Sequence, residues 1–321
     1  MAKVNPKKDS KVTICYDFKE DLARGRYAML KRCVMYSCNT GPGKEFVAKM
    51  VTKVGGKYSR LQRELGICKN LVHENVVRLL HSSEDERTNF LLFELIDGGN
   101  LEDYIEDHEF LNETKASLFL KQLFSGIDYI HARNIIHRNL RAENILVHKK
   151  QQNEVVLKIA GFGLAIQCKD DTYQRYSPIG VANFMAPEIV NNEKYGKPAD
   201  LWSLGVLTYK LLAGYPPFDE KSKETLKQKI IHTNYEFDPP EWSQISNEAK
   251  DLIANLLNKD PKKRLTANLA LTHQWILNIQ QVVNALQRPI TYARIDNNDP
   301  QRRMVALMIA LHFLAIIETS I

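Results

Sequence analysis

His137-Arg138-Asn139-Leu140-Arg141-Ala142-Glu143-Asn144 is the stretch that decides how this chain folds. It is polar, and two short apolar runs bracket it, Ile135-Ile136 before and Ile145-Leu146-Val147 after. With Val155–Ile159 these runs read as strands around loops. Gly161-Phe162-Gly163 follows, then Ala186-Pro187-Glu188, then Asp200-Leu201-Trp202-Ser203, and much later Arg264. Helical periodicity covers 114–132, 199–213, 221–232, 246–258 and 267–276, with Ser246 or Asn247 as a cap for the fourth. Pro216-Pro217 and Pro239-Pro240 mark loops between them.

Upstream the pattern changes. Residues 14–51 alternate as an antiparallel meander, with turns at Gly25 and at Asn39-Thr40-Gly41-Pro42-Gly43. Leu61, Leu65, Cys68 and Leu71 then give a helical stripe over 57–71. Strand-like runs at Val76–Leu80 and Phe90–Leu95 complete a small β-rich unit of five strands and one helix before Gly98-Gly99.

The composition is that of a globular chain. Of 321 residues, 44% are apolar and 26% charged, which excludes a collagen, a coiled-coil rod and general disorder. The net charge of +6 divides into +7 over residues 1–95, −2 over 96–276 and +1 over 277–321. No dense basic stripe marks a nucleic-acid binder. Five cysteines without a C-x-x-C pair fit reduced thiols in the cytosol. The lysine-rich start has no apolar stretch to act as a signal peptide. The apolar run Met304–Ile317 is shorter than the roughly 20 residues that span a bilayer. A cytoplasmic protein with no transmembrane segment is expected.

In order and spacing these motifs resemble those of protein kinases. Residues 137–144 resemble the catalytic loop H-R-D-L-x-x-x-N, 161–163 the D-F-G motif, and 186–188 match A-P-E. Val47-Ala48-Lys49 lies 24 residues past Gly25, and Glu64 another 15 residues on. In kinases such a strand lysine, paired with a helix glutamate, positions the phosphates of ATP. Leu61–Cys68, Tyr195-Gly196-Lys197-Pro198 and Gly214-Tyr215-Pro216-Pro217-Phe218 are most similar to the calcium/calmodulin-dependent group, calmodulin kinase II and its relatives. The resemblance implies a bilobal α+β fold over 14–276, with a small lobe at 14–95 and a large lobe at 96–276. A regulatory-type tail follows at 277–321. It implies a nucleotide pocket of Leu22, Gly25, Leu30, Ala48, Lys49, Glu64, Asn144 and Leu146, with a hinge at Glu94-Leu95-Ile96 after a bulky Phe93. It also implies an ion pair between Arg264 and Glu188.

Several positions depart from the pattern. Asn139 stands where the catalytic aspartate belongs, and an amide cannot take the proton of a substrate hydroxyl. Gly161 stands where an aspartate chelates magnesium, and glycine offers no ligand. Arg141 replaces a lysine, Val181 a threonine, and Asn100 an acid that meets the ribose in related kinases. Of the phosphate-loop glycines only Gly25 is present; Ala23 and Ala28 take two of the places. Losing the general base alone costs roughly 10²–10⁴ in rate, and losing a metal ligand adds several kcal/mol. The expectation is therefore a pseudokinase that regulates or scaffolds, binding ATP weakly and with little need of magnesium. The alternatives are a slow but active Ser/Thr kinase and a domain that takes no nucleotide.

The tail carries softer signals. Arg288-Pro289-Ile290-Thr291 resembles the R-x-x-T autophosphorylation site of calmodulin kinases, which implies a regulatory Thr291. Arg302-Arg303 followed by Met304, Met308 and Phe313 resembles a calmodulin segment with 1-5-10 anchors on a helix over 301–317. Packing on the large lobe is the competing reading, and the weak charge disfavours membrane association. An active related kinase and a basic peptide are the other expected partners. No association domain is left over, so a holoenzyme ring is not expected.

Overall fold

Alternating apolar residues build the first sheet. β1 (Ile14–Arg24), β2 (Met29–Ser37), β3 (Lys44–Thr52), β4 (Leu79–Glu84) and β5 (Thr88–Glu94) pair antiparallel in the order β1-β2-β3-β5-β4. One face buries Tyr16, Cys33, Phe46, Ala48, Phe90 and Leu92 together. Against the other lies α1 (Tyr58–Cys68), whose Leu61 and Leu65 meet Val51, Leu91 and Phe93. The end of α1 turns Ile67 and Cys68 into the main core of the large lobe, so this helix ties the lobes together.

The structure is a computed structural model and describes residues 14–24, 28–37, 43–53, 58–108, 110–150, 154–168, 180–232 and 235–278. The chain divides into two units between Gln280 and Gln281, and every described residue lies in the first.

The large lobe comprises α2 (Leu101–His108), α3 (Glu113–His131), β6 (Ile135–Ile136), β7 (Ile145–Lys149), β8 (Val155–Ile159), β9 (Ile166–Gln167), α4 (Pro187–Val190), α5 (Pro198–Ala213), α6 (Lys223–His232), α7 (Asn247–Leu256) and α8 (Ala267–Leu271). The strands form two small ladders, β6 with β9 and β7 with β8. Asn112, Ser246 and Thr266 cap α3, α7 and α8 by accepting backbone N–H bonds three residues on. Pro198 opens α5 and Gly214, at φ 83°, closes it. Nearly all of α5 is buried, as an all-round apolar helix requires.

Three expected boundaries move. Val76 is not in the sheet: Val77 N–H donates to Ile159 O, and Ile159 N–H to Asn75 O, each at 2.9 Å. This short parallel bridge to β8 joins the lobes, and β4 begins only at Leu79. The helix expected over 57–71 ends at Cys68. The one expected over 267–276 breaks at Thr272-His273.

Candidate active site

Asp200, near the start of α5, organises the loop quoted first. It is 1% exposed. It accepts the backbone N–H of His137 and of Arg138, both at 2.8 Å, and lies 2.9 Å from His131 Nε2. Burial alone would push its carboxyl up; the His131 hydrogen bond and the neighbouring imidazoles outweigh that and hold it below the usual range. This grip bends the chain at Arg138, whose φ is 65°. His137 is fully buried, and burial pushes its pKa down. The neutral ring donates from Nε2 to Ala160 O at 2.8 Å and accepts the Asn139 N–H on Nδ1 at 3.3 Å. Its ring meets Phe162 edge-on at 4.9 Å, so the loop and the Gly-Phe-Gly turn hold each other.

Asn144 joins the same knot. Its Nδ2 donates to Asn139 O at 2.7 Å, and its carbonyl accepts the Ala160 N–H at 2.8 Å. Gly161 lies alongside in the left-handed region, at φ 80° and ψ 36°. A Cβ placed on Gly161 would lie 2.6 Å from Asn144 Oδ1. The amide has thus closed over the space where a metal-binding side chain would start. Arg141 pairs with Glu143 at 3.1 Å, and Val181 is 36% exposed and brings no hydroxyl.

Lys49 and Glu64 meet across the sheet and α1, with Lys49 Nζ 2.6 and 2.7 Å from the two carboxylate oxygens. Glu64 is 5% exposed, so the pair is largely removed from water. Gly163 packs directly beside it. In the large lobe Arg264 donates to Glu188 in bidentate fashion at 2.8 and 3.1 Å.

Ala48 does not share the face of Lys49. It is fully buried on the opposite face of β3, among Phe46, Cys33 and Leu92, because side chains alternate along a strand. Val47 is the residue that shares the face of Lys49. Leu30 pairs with Lys49 across the ladder, and Phe93 pairs with Val47, so both lie on that face as well. Leu22 is largely exposed, while Leu146 and Ile96 are half-buried. The Glu94 side chain accepts from Arg78 N–H at 2.8 Å and from Lys158 Nζ at 2.9 Å, strapping the hinge to β8. Asn100 is spent locally, capping α2 through Glu102 N–H and Asp103 N–H. Gly25, Thr291, Met304, Met308 and Phe313 lie outside the described residues. Sequence reasoning missed the roles of His131 and Asp200, although an aspartate in an otherwise apolar helix signals buried partners.

The protein kinase domain family matches residues 16–276. The chain belongs to the protein kinase family. It is 36% identical to a calcium/calmodulin-dependent protein kinase type II of Caenorhabditis elegans, over 92% of this chain and 41% of that protein. It is also 36% identical to the type II alpha chain of Drosophila melanogaster, and 35% identical to the type II delta subunit of Oryctolagus cuniculus. Each of those matches covers 90% of this chain and 54% of the relative. The kinase chain therefore spans about half the length of these curated relatives, and its likeness to the calmodulin-dependent group extends across nine-tenths of it. A kinase domain implies a pocket for ATP. Among the described residues no group of three or more His, Cys, Asp or Glu could hold a metal ion, and no helix is long and apolar enough to cross a membrane.

Proposed function

We propose that this kinase domain is a pseudokinase, impaired in phosphoryl transfer, that regulates or scaffolds through its nucleotide pocket and substrate groove. The observation that carries this reading is the contact of Asn144 with Gly161, next to Asn139. Neither position that serves the reacting phosphate in kinases bears a carboxylate. Magnesium does not fit here: Gly161 has no ligand atom, and among the described residues no group of three or more His, Cys, Asp or Glu could hold the ion.

ATP does fit. Lys49, held by Glu64, supplies a cation for the phosphates, while Leu30 and Val47 supply apolar walls beside the 94–96 hinge. ATP would supply a transferable γ-phosphoryl group, and no group on residue 139 accepts the hydroxyl proton. With both carboxylates gone, less negative charge opposes the phosphates, so binding needs no divalent ion to offset it. Calmodulin on 301–317, an active related kinase and a basic peptide remain the proposed partners. The intact Lys49–Glu64 pair favours a second reading, a slow active Ser/Thr kinase.

The test is thermal unfolding against ATP concentration, with and without Mg²⁺. Equal stabilisation in both series supports the reading. Stabilisation confined to the Mg²⁺ series, or none in either, refutes its nucleotide half.

A further inference from the structure

The hinge is anchored at both ends, and the β7–β8 ladder supplies an anchor at each. At the first end Glu94 N–H donates to Arg78 O at 3.1 Å. One carboxylate oxygen, Glu94 Oε1, accepts both Arg78 N–H at 2.8 Å and Lys158 Nζ at 2.9 Å. At the second end Val147 N–H donates to Gly99 O at 2.9 Å, and Asn100 bridges Leu146. A Cβ on Gly98 would collide with Val147 O, so only glycine allows that approach. Residues 95–98 are carried between these two fixed points.

Lys158 connects that hinge to the pocket wall. It stands directly opposite Leu146 across the ladder, so the two side chains share a face. The side chain of Lys158 is 12% exposed and that of Glu94 26%, so water and salt screen the pair less than a surface pair. Two hydrogen bonds to one charged oxygen hold the Glu94 side chain in place. The two lysines of this region have separate partners. Lys49 is held by Glu64 on the phosphate side, and Lys158 is held by Glu94 at the hinge, whose amides the nucleotide reading assigns to the base.

We propose that Lys158 is a positioning residue for the base of the bound nucleotide. By holding Glu94 against β8 it sets the hinge amides at the distance and angle that an adenine edge requires. Lys158 touches neither base nor phosphate; it acts through Glu94. The proposal rests on the nucleotide reading above.

Adenosine is the probe, titrated by calorimetry into the full chain beside ATP, with the melting temperature of each variant recorded. Adenosine is neutral, so it does not sense the lost charge of Lys158 at a distance. Lys158→Met should weaken adenosine by about fivefold or more, and Lys158→Arg should retain it. Glu94→Gln keeps an acceptor for Arg78 N–H while losing the ion pair. It should weaken adenosine likewise, and adding Lys158→Met to it should change nothing more. Glu94→Gln decides the matter if Lys158→Met fails to fold. Unchanged adenosine affinity in Lys158→Met, whatever its melting temperature, would mark the pair as structural only and overturn the proposal. ATP binding without adenosine binding would overturn it as well. If the wild type binds neither ligand, the nucleotide reading falls and this proposal falls with it.

Discussion

Asn144 and Gly161 share one space: a Cβ on Gly161 would lie 2.6 Å from Asn144 Oδ1 and 2.7 Å from its Cγ. The glycine therefore does more than omit a ligand. Its lack of a side chain lets Asn144 settle against the turn while still bonded to Asn139 O. Gly161 also sits at φ 80°, where a Cβ adds strain. Gly161→Ala should cost about 1–2 kcal/mol, read from the denaturant midpoint. Part of that cost is the clash, so Gly161→Ala should be less damaging in an Asn144→Ala background. Strict additivity would mean the two side chains do not compete.

The Lys49–Glu64 pair is nearly dry on the glutamate side. Lys49→Met leaves a carboxylate that is 5% exposed without its ammonium. Removing one partner of a buried pair costs several kcal/mol; Lys49 is itself 19% exposed, so about 2 kcal/mol is expected. The same variant should lose the thermal response to ATP. A variant as stable and as responsive as wild type would show that the pair neither anchors α1 nor meets phosphate.

Acid should destabilise the domain in two stages. Burial depresses the His137 pKa below its ordinary 6.5, and burial likewise depresses that of His73. The unfolded chain then binds more protons, so stability is complete above about pH 6.5 and declines as pH falls towards the folded values. Asp200, held below its ordinary 3.8, adds stability that is lost only as pH falls past that value. Melting temperature should be flat between about pH 7 and 8 and fall between pH 6.5 and 5. A rise over that interval would contradict the burial of a neutral His137.

The motif order was enough to identify the bilobal fold, since loop, turn and helix signals follow one another at fixed spacing. Faces and tertiary contacts were harder to read. The family resemblance implies Ala48 as a pocket wall, whereas the period of two along β3 assigns that face to Val47. That signal was present in the sequence. β4 was misplaced because its His81-Ser82-Ser83-Glu84 half is polar, as an edge strand tolerates, while the apolar Val76-Val77 pair serves β8 instead. The closure of Asn144 over Gly161 had no sequence signal: it depends on how the β7 and β8 ends approach in space. Asp200 was legible as a helix start but not as the anchor of His137 and Arg138, which is a long-range contact.

The central claim is that two missing carboxylates, at Asn139 and Gly161, disable phosphoryl transfer on a scaffold that keeps the Lys49–Glu64 and Arg264–Glu188 pairs. The most direct measurement is phosphotransfer to a basic Ser/Thr peptide under single-turnover conditions with Mg·ATP. Wild type is compared with the double variant Asn139→Asp, Gly161→Asp. Restoring the general base alone is worth roughly 10²–10⁴ in rate, so the account predicts a gain of at least about a hundredfold. The gain requires Asn144 to rotate away from residue 161. Wild type turning over as fast as the double variant would contradict it.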